Sequence, residues 1–481
     1  ETGWMVPMAP SWVISKTHGV IAKLVPDHTS KRFDIRIVTG ASLADMQSAE
    51  YGTVRGGNLV YTLDGKVYLT PIKTLRGDYR DANGNTGNRL RLLERADFIP
   101  SPEDVFQERL YCIHWIQRET LDQHRPITFF AEVTAEDLAR EQKVRAIVFK
   151  NLALWQARGR VPDMALEPGY NTDQPIRERG WMYWHQLFDP RTLLMARLLN
   201  QMGSKASDKF NLNIFLDNSG RLVRWHTTPP HKLGGGRDLP ANVFSNQALN
   251  TLFNFAVRSW WSGRNVLRYD YSGQLPLTTN TSVASHQARE ISEPCDLYIT
   301  DPPYADAVHY HEISEFFIAW LRKNPLPPFD QWTWDSRRDL AIKGSGDDFR
   351  RGMVDAYRAM TDHMPDNGMQ CVMFTHQDSG VWSDMVSIFW AAGLQVVGAW
   401  YIATETTSEL KKGGYVQGTV ILMLRKRPIG DRPGFKQRIL PEVKREVDAQ
   451  INQMMHLNTD TAAKMGAPVF NDVDLQMAGY A

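Results

Sequence analysis

The stretch of this chain best equipped for chemistry is Asp301-Pro302-Pro303-Tyr304. It follows the short apolar run Asp296–Thr300, which reads as a buried strand, and open α/β sheets hold their ligands at the carboxyl ends of such strands. With proline near 5% of residues, a chain of this length contains the tetrapeptide by chance with odds of roughly one in several hundred. The Asp301 carboxylate and the Pro302 carbonyl are both acceptors, and proline restricts the turn without adding a competing N–H. Two acceptors side by side can hold both hydrogens of an exocyclic amine on a nucleobase. That amine is a poor nucleophile, because its lone pair is delocalised into the ring. Held in this way, the lone pair can point at a methyl sulfonium, and Asp301 would stabilise the positive charge developing on nitrogen. Tyr304 offers a flat face on which an extruded base can stack. The plainer alternative is a strand-end turn with a buried tyrosine.

Softer candidates lie nearby. Tyr310 and Glu312 follow the motif and either line a base pocket or serve as a core aromatic and a helix-cap carboxylate. Thr375 and His376 end the next apolar run, so the topology brings them to the same sheet edge, although a lone histidine is more often structural.

These residues need a sheet to carry them. After Asp296–Thr300, Ile313, Phe316, Phe317, Trp320 and Leu321 repeat with the period of one helix face. Phe349, Met353, Tyr357, Met360 and Met364 mark a second helix, stopped by Pro365-Asp366-Asn367-Gly368. Residues 371–375 read as a buried strand, and Trp382, Met385, Val386 and Phe389 as a helix from Ser379 to Gly393. Residues 394–402 and 419–425 read as two strands with no helix between them. Helical crossovers imply parallel strands, and the last two strands can pair as an antiparallel hairpin. The expectation is an α/β fold: a Rossmann-like parallel sheet finished by a terminal antiparallel hairpin.

Upstream, residues 1–95 are strand-rich, with Gly19–Leu24, Arg32–Val38 and Val67–Ile72 punctuated by Gly56-Gly57, Asp64-Gly65 and Asn83-Gly84-Asn85. Residues 96–237 turn helical. Leu138, Val144, Ile147, Val148 and Trp155 share a face after Thr134, and Phe188-Asp189-Pro190-Arg191 opens another helix with Asp at the cap and Pro in the first turn. Thr227-Thr228-Pro229-Pro230 and Gly234-Gly235-Gly236 read as a loop or linker. Four segments result: a β-rich module (1–95), a helical region (96–237), a catalytic half-domain (238–427) and a polar, basic tail (428–481). Arg425, Lys426, Arg427, Arg432, Lys436, Arg438, Lys444 and Arg445 in and beside that tail form either a solvated surface or a phosphate-contacting patch.

Composition narrows the class. Lys plus Arg number 55 against 54 acids, so no whole-molecule basic field exists and any nucleic-acid contact must be local. Cys112, Cys295 and Cys371 are the three cysteines, none within metal-ligand spacing of another, which excludes a disulfide scaffold and argues against a structural zinc. No apolar run spans a bilayer and no signal peptide opens the chain, so the expected setting is cytoplasmic, with no membrane partner and no metal.

Asp-Pro-Pro-Tyr after an apolar strand resembles motif IV of the amino-methyltransferases, S-adenosylmethionine-dependent enzymes acting on adenine N6 or cytosine N4. Aspartate at the first position leans toward adenine. Val6-Pro7 with Ser11–Ser15, Glu108–Cys112, Arg179-Gly180-Trp181 through His185, and Tyr310–Glu312 with Phe316-Phe317 make the chain similar to large prokaryotic adenine-specific DNA methyltransferases that carry an N-terminal domain of unknown function. The resemblance implies double-stranded DNA as partner, S-adenosylmethionine as cofactor and a link to phage defence, with other defence proteins as further partners. It also implies that Phe188, Pro190 and Arg191, placed like the Phe-Thr-Pro-Arg opening of a helix in related enzymes, lie near the methionine end of the cofactor.

The chain departs from this pattern in lacking the glycine-rich loop, similar to Asp-Pro-Phe-x-Gly-x-Gly, that holds the cofactor in such enzymes. There the loop lies far upstream. The expectation is therefore a C-terminal fragment, in which residues 1–237 are an insertion between the two halves of a catalytic domain. A rival reading is a degenerate, non-catalytic subunit that binds DNA or partner proteins. Methylation of RNA or of a protein glutamine is a third, disfavoured because the glutamine enzymes usually open the motif with Asn.

Overall fold

The structure is a computed structural model that describes residues 3–303 except 124, 203–205, 232–235, 245–248 and 250–280, and residues 308–465 except 328, 337, 344–345, 377, 404–417, 429 and 431–435, together with 475. Tyr304, Gly234 and Gly235 lie outside the described residues. The chain forms two compact units, Glu1–Thr281 with Tyr310–Ser336, and Ser282–His309 with Arg337–Ala481. Segments 1–95 and 96–237 both fall in the first unit, and 238–427 is divided between the two.

The first unit opens with antiparallel strands β1 (Val13–Ser15), β2 (Val20–Asp27) and β3 (Arg32–Val38), followed by helix α1 (Leu43–Ala49). A second meander has β4 (Val54–Arg55), β5 (Asn58–Leu63) and β6 (Lys66–Pro71), then α2 (Ile72–Arg76) and the short pair β7 (Tyr79–Arg80) and β8 (Thr86–Gly87). Its tight turns fall on the expected dipeptides. Gly56 and Gly57 join the pair Arg55↔Asn58, and Asp64 and Gly65 join Leu63↔Lys66. All four residues have positive φ, from 51° to 78°, as two-residue turns between right-twisted strands require.

The hairpin β9 (Cys112–Ile116) and β10 (Thr128–Glu132) leads into α3 (Ala135–Ala157). Thr134 starts α3 with a capping box: its hydroxyl accepts from the Asp137 N–H, and the Asp137 carboxylate accepts from the Thr134 N–H. Thr134→Ala should cost about 1 kcal/mol, read as a lowered urea midpoint; an unchanged midpoint would show that the box adds nothing. Val148, Leu152 and Trp155 are the buried hydrophobic residues of α3, whereas Leu138 and Ile147 are 46% and 43% exposed. Next come α4 (Asp173–Arg179), α5 (Pro190–Met202), α6 (Ala206–Asp217), and the hairpin β11 (Trp225–Thr228) with β12 (Arg237–Pro240). The expected linker at 227–230 thus begins inside a strand. Its threonines are polar because they serve a neighbour: Thr227 Oγ1 accepts from the Lys16 N–H, and Thr17 donates to the Thr228 carbonyl.

The last helices of this unit are α7 (Tyr310–Ile313) and α8 (Glu315–Leu321). Phe316 and Trp320 on α8 enter the core beside Phe188, whose ring centroid lies 5.3 Å from that of Trp320 at 89°. Edge-to-face pairs of this kind contribute about 0.5–1.5 kcal/mol beyond their buried area.

The second unit holds a four-stranded mixed sheet of β13 (Leu297–Thr300), β14 (Met369–Phe374), β15 (Leu394–Ala403) and β16 (Gly418–Lys426), in the order β13-β14-β16-β15. β13 and β14 are parallel, with Thr300↔Val372 in register. β16 runs antiparallel to both β14 and β15. The reversed strand is therefore interior, not the finishing strand of the sheet. Helix α9 (Asp347–Asp362) leads into β14 on a connection from β13 that first passes through α7 and α8 of the first unit, and α10 (Ser379–Ala391) connects β14 to β15. Phe349, Met353, Tyr357, Met360 and Met364 are each no more than 3% exposed, as their spacing requires.

β14 differs from expectation in being buried at alternate residues only. Gln370, Val372 and Phe374 face the helices, and Cys371 and Met373 are half-buried on the other face. Val386, expected on the buried face of α10, is 52% exposed, and Ile388 takes its place in the core. The polar tail contains α11 (Lys436–Met465). No helix among the described residues is long and apolar enough to cross a membrane.

Candidate functional site

In the second unit the chain leaves β13 at Thr300 and immediately presents Asp301, which is exposed, then the half-buried Pro302 and Pro303. Residues alternate across β13: Tyr298 is buried against the helices, while Leu297 and Ile299 are 51% and 64% exposed. Parallel pairing with β14 sets Thr300 beside Val372, so Thr375 and His376, just past the end of β14, come to the same carboxyl edge as Asp301–Pro303. Five of the candidates are thus assembled at one sheet edge.

Their immediate surroundings differ. Thr375 Oγ1 is buried and has no hydrogen-bond partner among the described residues. His376 Nδ1 accepts from the Asp378 N–H at 3.0 Å, and its carbonyl accepts from Trp382 Nε1 at 2.9 Å. With Nδ1 as acceptor, the neutral ring carries its proton on Nε2 and is a donor there. Behind the strand end stands Tyr357 of α9, 2% exposed, with its hydroxyl 3.3 Å from Thr300 Oγ1. Burial pushes the Tyr357 phenol well above its ordinary range; the Thr300 hydroxyl partly offsets this and the Asp301 charge adds to it.

The remaining candidates belong to the first unit. Tyr310 is 55% exposed at the start of α7. Glu312 is 4% exposed, and its two oxygens accept from the Tyr170 N–H at 2.9 Å and the Asn171 N–H at 2.6 Å, so this carboxylate braces the 167–172 loop. That loop borders a cleft of about 570 Å³ lined by Pro168, Tyr170, Gln174 and Arg177. Phe188 is fully buried and Pro190 is buried. The Asp189 carboxylate caps α5 through Arg191 N and Thr192 N, and the Arg191 guanidinium is bound to Glu141 of α3.

The other stretches behind the resemblance also lie in the first unit, where Glu108 and Trp181 meet a buried arginine. Arg221, 7% exposed, donates to both oxygens of Glu108 and to the carbonyls of Phe98, Gln186 and Phe188. Its guanidinium lies 5.8 Å from the Trp181 ring centroid. Gly180, with φ +72°, ends α4, and the carbonyl oxygen of Arg91 lies 2.2 Å from where a Cβ would stand, so no other residue fits.

His185 is fully buried beside the Asp97 carbonyl, and burial pushes its imidazole down to about 4. His114, stacked on Phe130 at 4.1 Å, is likewise lowered to about 4 by burial, opposed by Asp238 and aided by His18. Both are depressed below the unfolded value near 6.5, so between that pH and about 4 the unfolded chain binds protons the folded chain refuses. Stability should therefore be intact above pH 6.5 and fall below it, by up to about 1.4 kcal/mol per pH unit for each ring. Urea midpoints at pH 7.5 and 5 test this, and equal midpoints would refute it.

No family model, curated protein or solved structure matches this chain.

Proposed function

We propose that this protein is an amino-methyltransferase acting on DNA, and that the carboxyl edge of β13 and β14 orients the exocyclic amine of an extruded base, most favourably adenine N6. The observation that carries the reading is the position of Asp301. It is solvent-exposed, it directly follows a strand with a parallel neighbour, and it is succeeded by two prolines. In the proposed reaction the Asp301 carboxylate and the Pro302 carbonyl accept the two amine hydrogens. The nitrogen lone pair would then be freed from conjugation with the ring to take the methyl carbon, and the sulfonium donor would leave as a neutral thioether. Asp301 would stabilise the charge on nitrogen until the surplus N–H proton passes to water. No covalent intermediate with the protein is needed. Three strands running one way with helical connections, and a reversed strand paired into them, support a Rossmann-like methyltransferase sheet.

The residues expected to meet S-adenosylmethionine do not fit that task. Phe188 and Pro190 are consumed by packing and the Arg191 guanidinium is held by Glu141, so they offer no free group to its methionine end. The described residues support only the amine-holding half of the proposed chemistry. The same observation favours a second reading, a DNA-binding subunit without a cofactor site of its own. Calorimetry with S-adenosylmethionine, alongside transfer of tritiated methyl to unmethylated double-stranded DNA, separates the two. Cofactor binding with label in DNA supports the enzyme; DNA binding without either supports the subunit.

A further inference from the structure

We propose that Tyr357 is a positioning residue for Asp301, acting through the hydroxyl of Thr300; this rests on the amine-orienting role of Asp301. The pair lies on the helix-covered face of the sheet. Tyr298 and Thr300 alternate onto that face, and Asp301 follows Thr300 directly where the strand ends. Tyr357 Oη to Thr300 Oγ1, at 3.3 Å, therefore pins the strand tip from behind at the residue covalently joined to Asp301.

Packing alone does not call for this hydroxyl. The Tyr357 ring sits among Phe349, Met353, Met360, Val372 and Phe374 and meets Phe389 edge-on, with centroids 5.0 Å apart, and phenylalanine would satisfy all of those contacts. A phenol oxygen sunk in such surroundings is costly unless it is hydrogen-bonded. Its partner is the last residue of β13. A small displacement of an orienting group costs rate steeply, so a tether at that point acts on turnover more than on folding.

The test uses the full chain, with Tyr357→Phe and Thr300→Val made singly and together, and tritiated methyl transfer to unmethylated double-stranded DNA as readout. Each single variant should lower kcat about tenfold while KM for DNA changes less than about twofold and the melting temperature stays within a few degrees. The double variant should be no slower than the slower single one, because both remove one shared interaction. If Asp301→Ala is inactive while Tyr357→Phe keeps the kcat of the unaltered chain, the positioning role is overturned and the parent reading stands. If Asp301→Ala transfers methyl as fast as the unaltered chain, or if the unaltered chain transfers none, the parent reading fails and this inference with it. Loss of kcat only in proportion to loss of folded protein, or multiplied losses in the double variant, also overturns it.

Discussion

Asp301→Ala is expected to abolish methyl transfer, by about a thousandfold or more, and to leave the fold unchanged. Removing a single preorganised electrostatic contact to a developing charge commonly costs a hundredfold to a thousandfold. Here the same carboxylate also holds the amine, so both contributions vanish together. The fold should hold for a separate reason: Asp301 is exposed and is not part of the hydrophobic core of the second unit. Turnover and thermal melting of the variant should therefore diverge. A variant that is folded and fully active would remove Asp301 from the chemistry.

The second large effect lies in the first unit. Arg221→Met should destabilise that unit by about 3–5 kcal/mol, a large share of the 5–15 kcal/mol that holds a typical domain. The substitution keeps the aliphatic stem but leaves the carbonyls of Phe98, Gln186 and Phe188 without their donor. Glu108 is less affected, since its side chain is 35% exposed and can return to water. Arg221→Lys should rescue little, because an ammonium cannot reproduce a planar fork serving four groups at once. Urea denaturation measures both. A methionine variant with the parent's midpoint would show that the network adds no net stability.

Features set by local spacing were legible in the sequence; those set by distant partners were not. Gly56-Gly57 and Asp64-Gly65 mark their turns because few residue types tolerate positive φ there, and Phe349 to Met364 mark α9 because one face of it is buried. The reversed strand between β14 and β15 could not be placed, since its two neighbours are chosen by pairing and not by anything within residues 418–426. The buried reading of β14 overstated its apolarity: in the second unit its helix-facing side is covered, and Cys371 and Met373 sit on the other.

Within the candidate site, Asp301–Pro303, Thr375 and His376 could be grouped from strand order alone. Tyr357 could not, since its relation to Thr300 spans 57 residues and its apolar neighbours make it read as core. Glu108 and Arg221 stand 113 residues apart, and in sequence the arginine is one basic residue among many.

The interior position of β16 also constrains how the second unit can be made. β14 and β15 are joined through β16, which pairs with β14 from Gln370↔Leu424 to Phe374↔Val420 and with β15 from Leu394↔Lys426 to Ala403↔Gly418. While a ribosome is still adding residues beyond 403, the nascent chain has both of those edges open, for a few seconds at roughly 5–20 residues per second. An unpaired strand edge is a template for other chains. A chain cut short before Gly418 would therefore yield a sheet that cannot close, and such products should be recovered in inclusion bodies or by the cell's holdase chaperones.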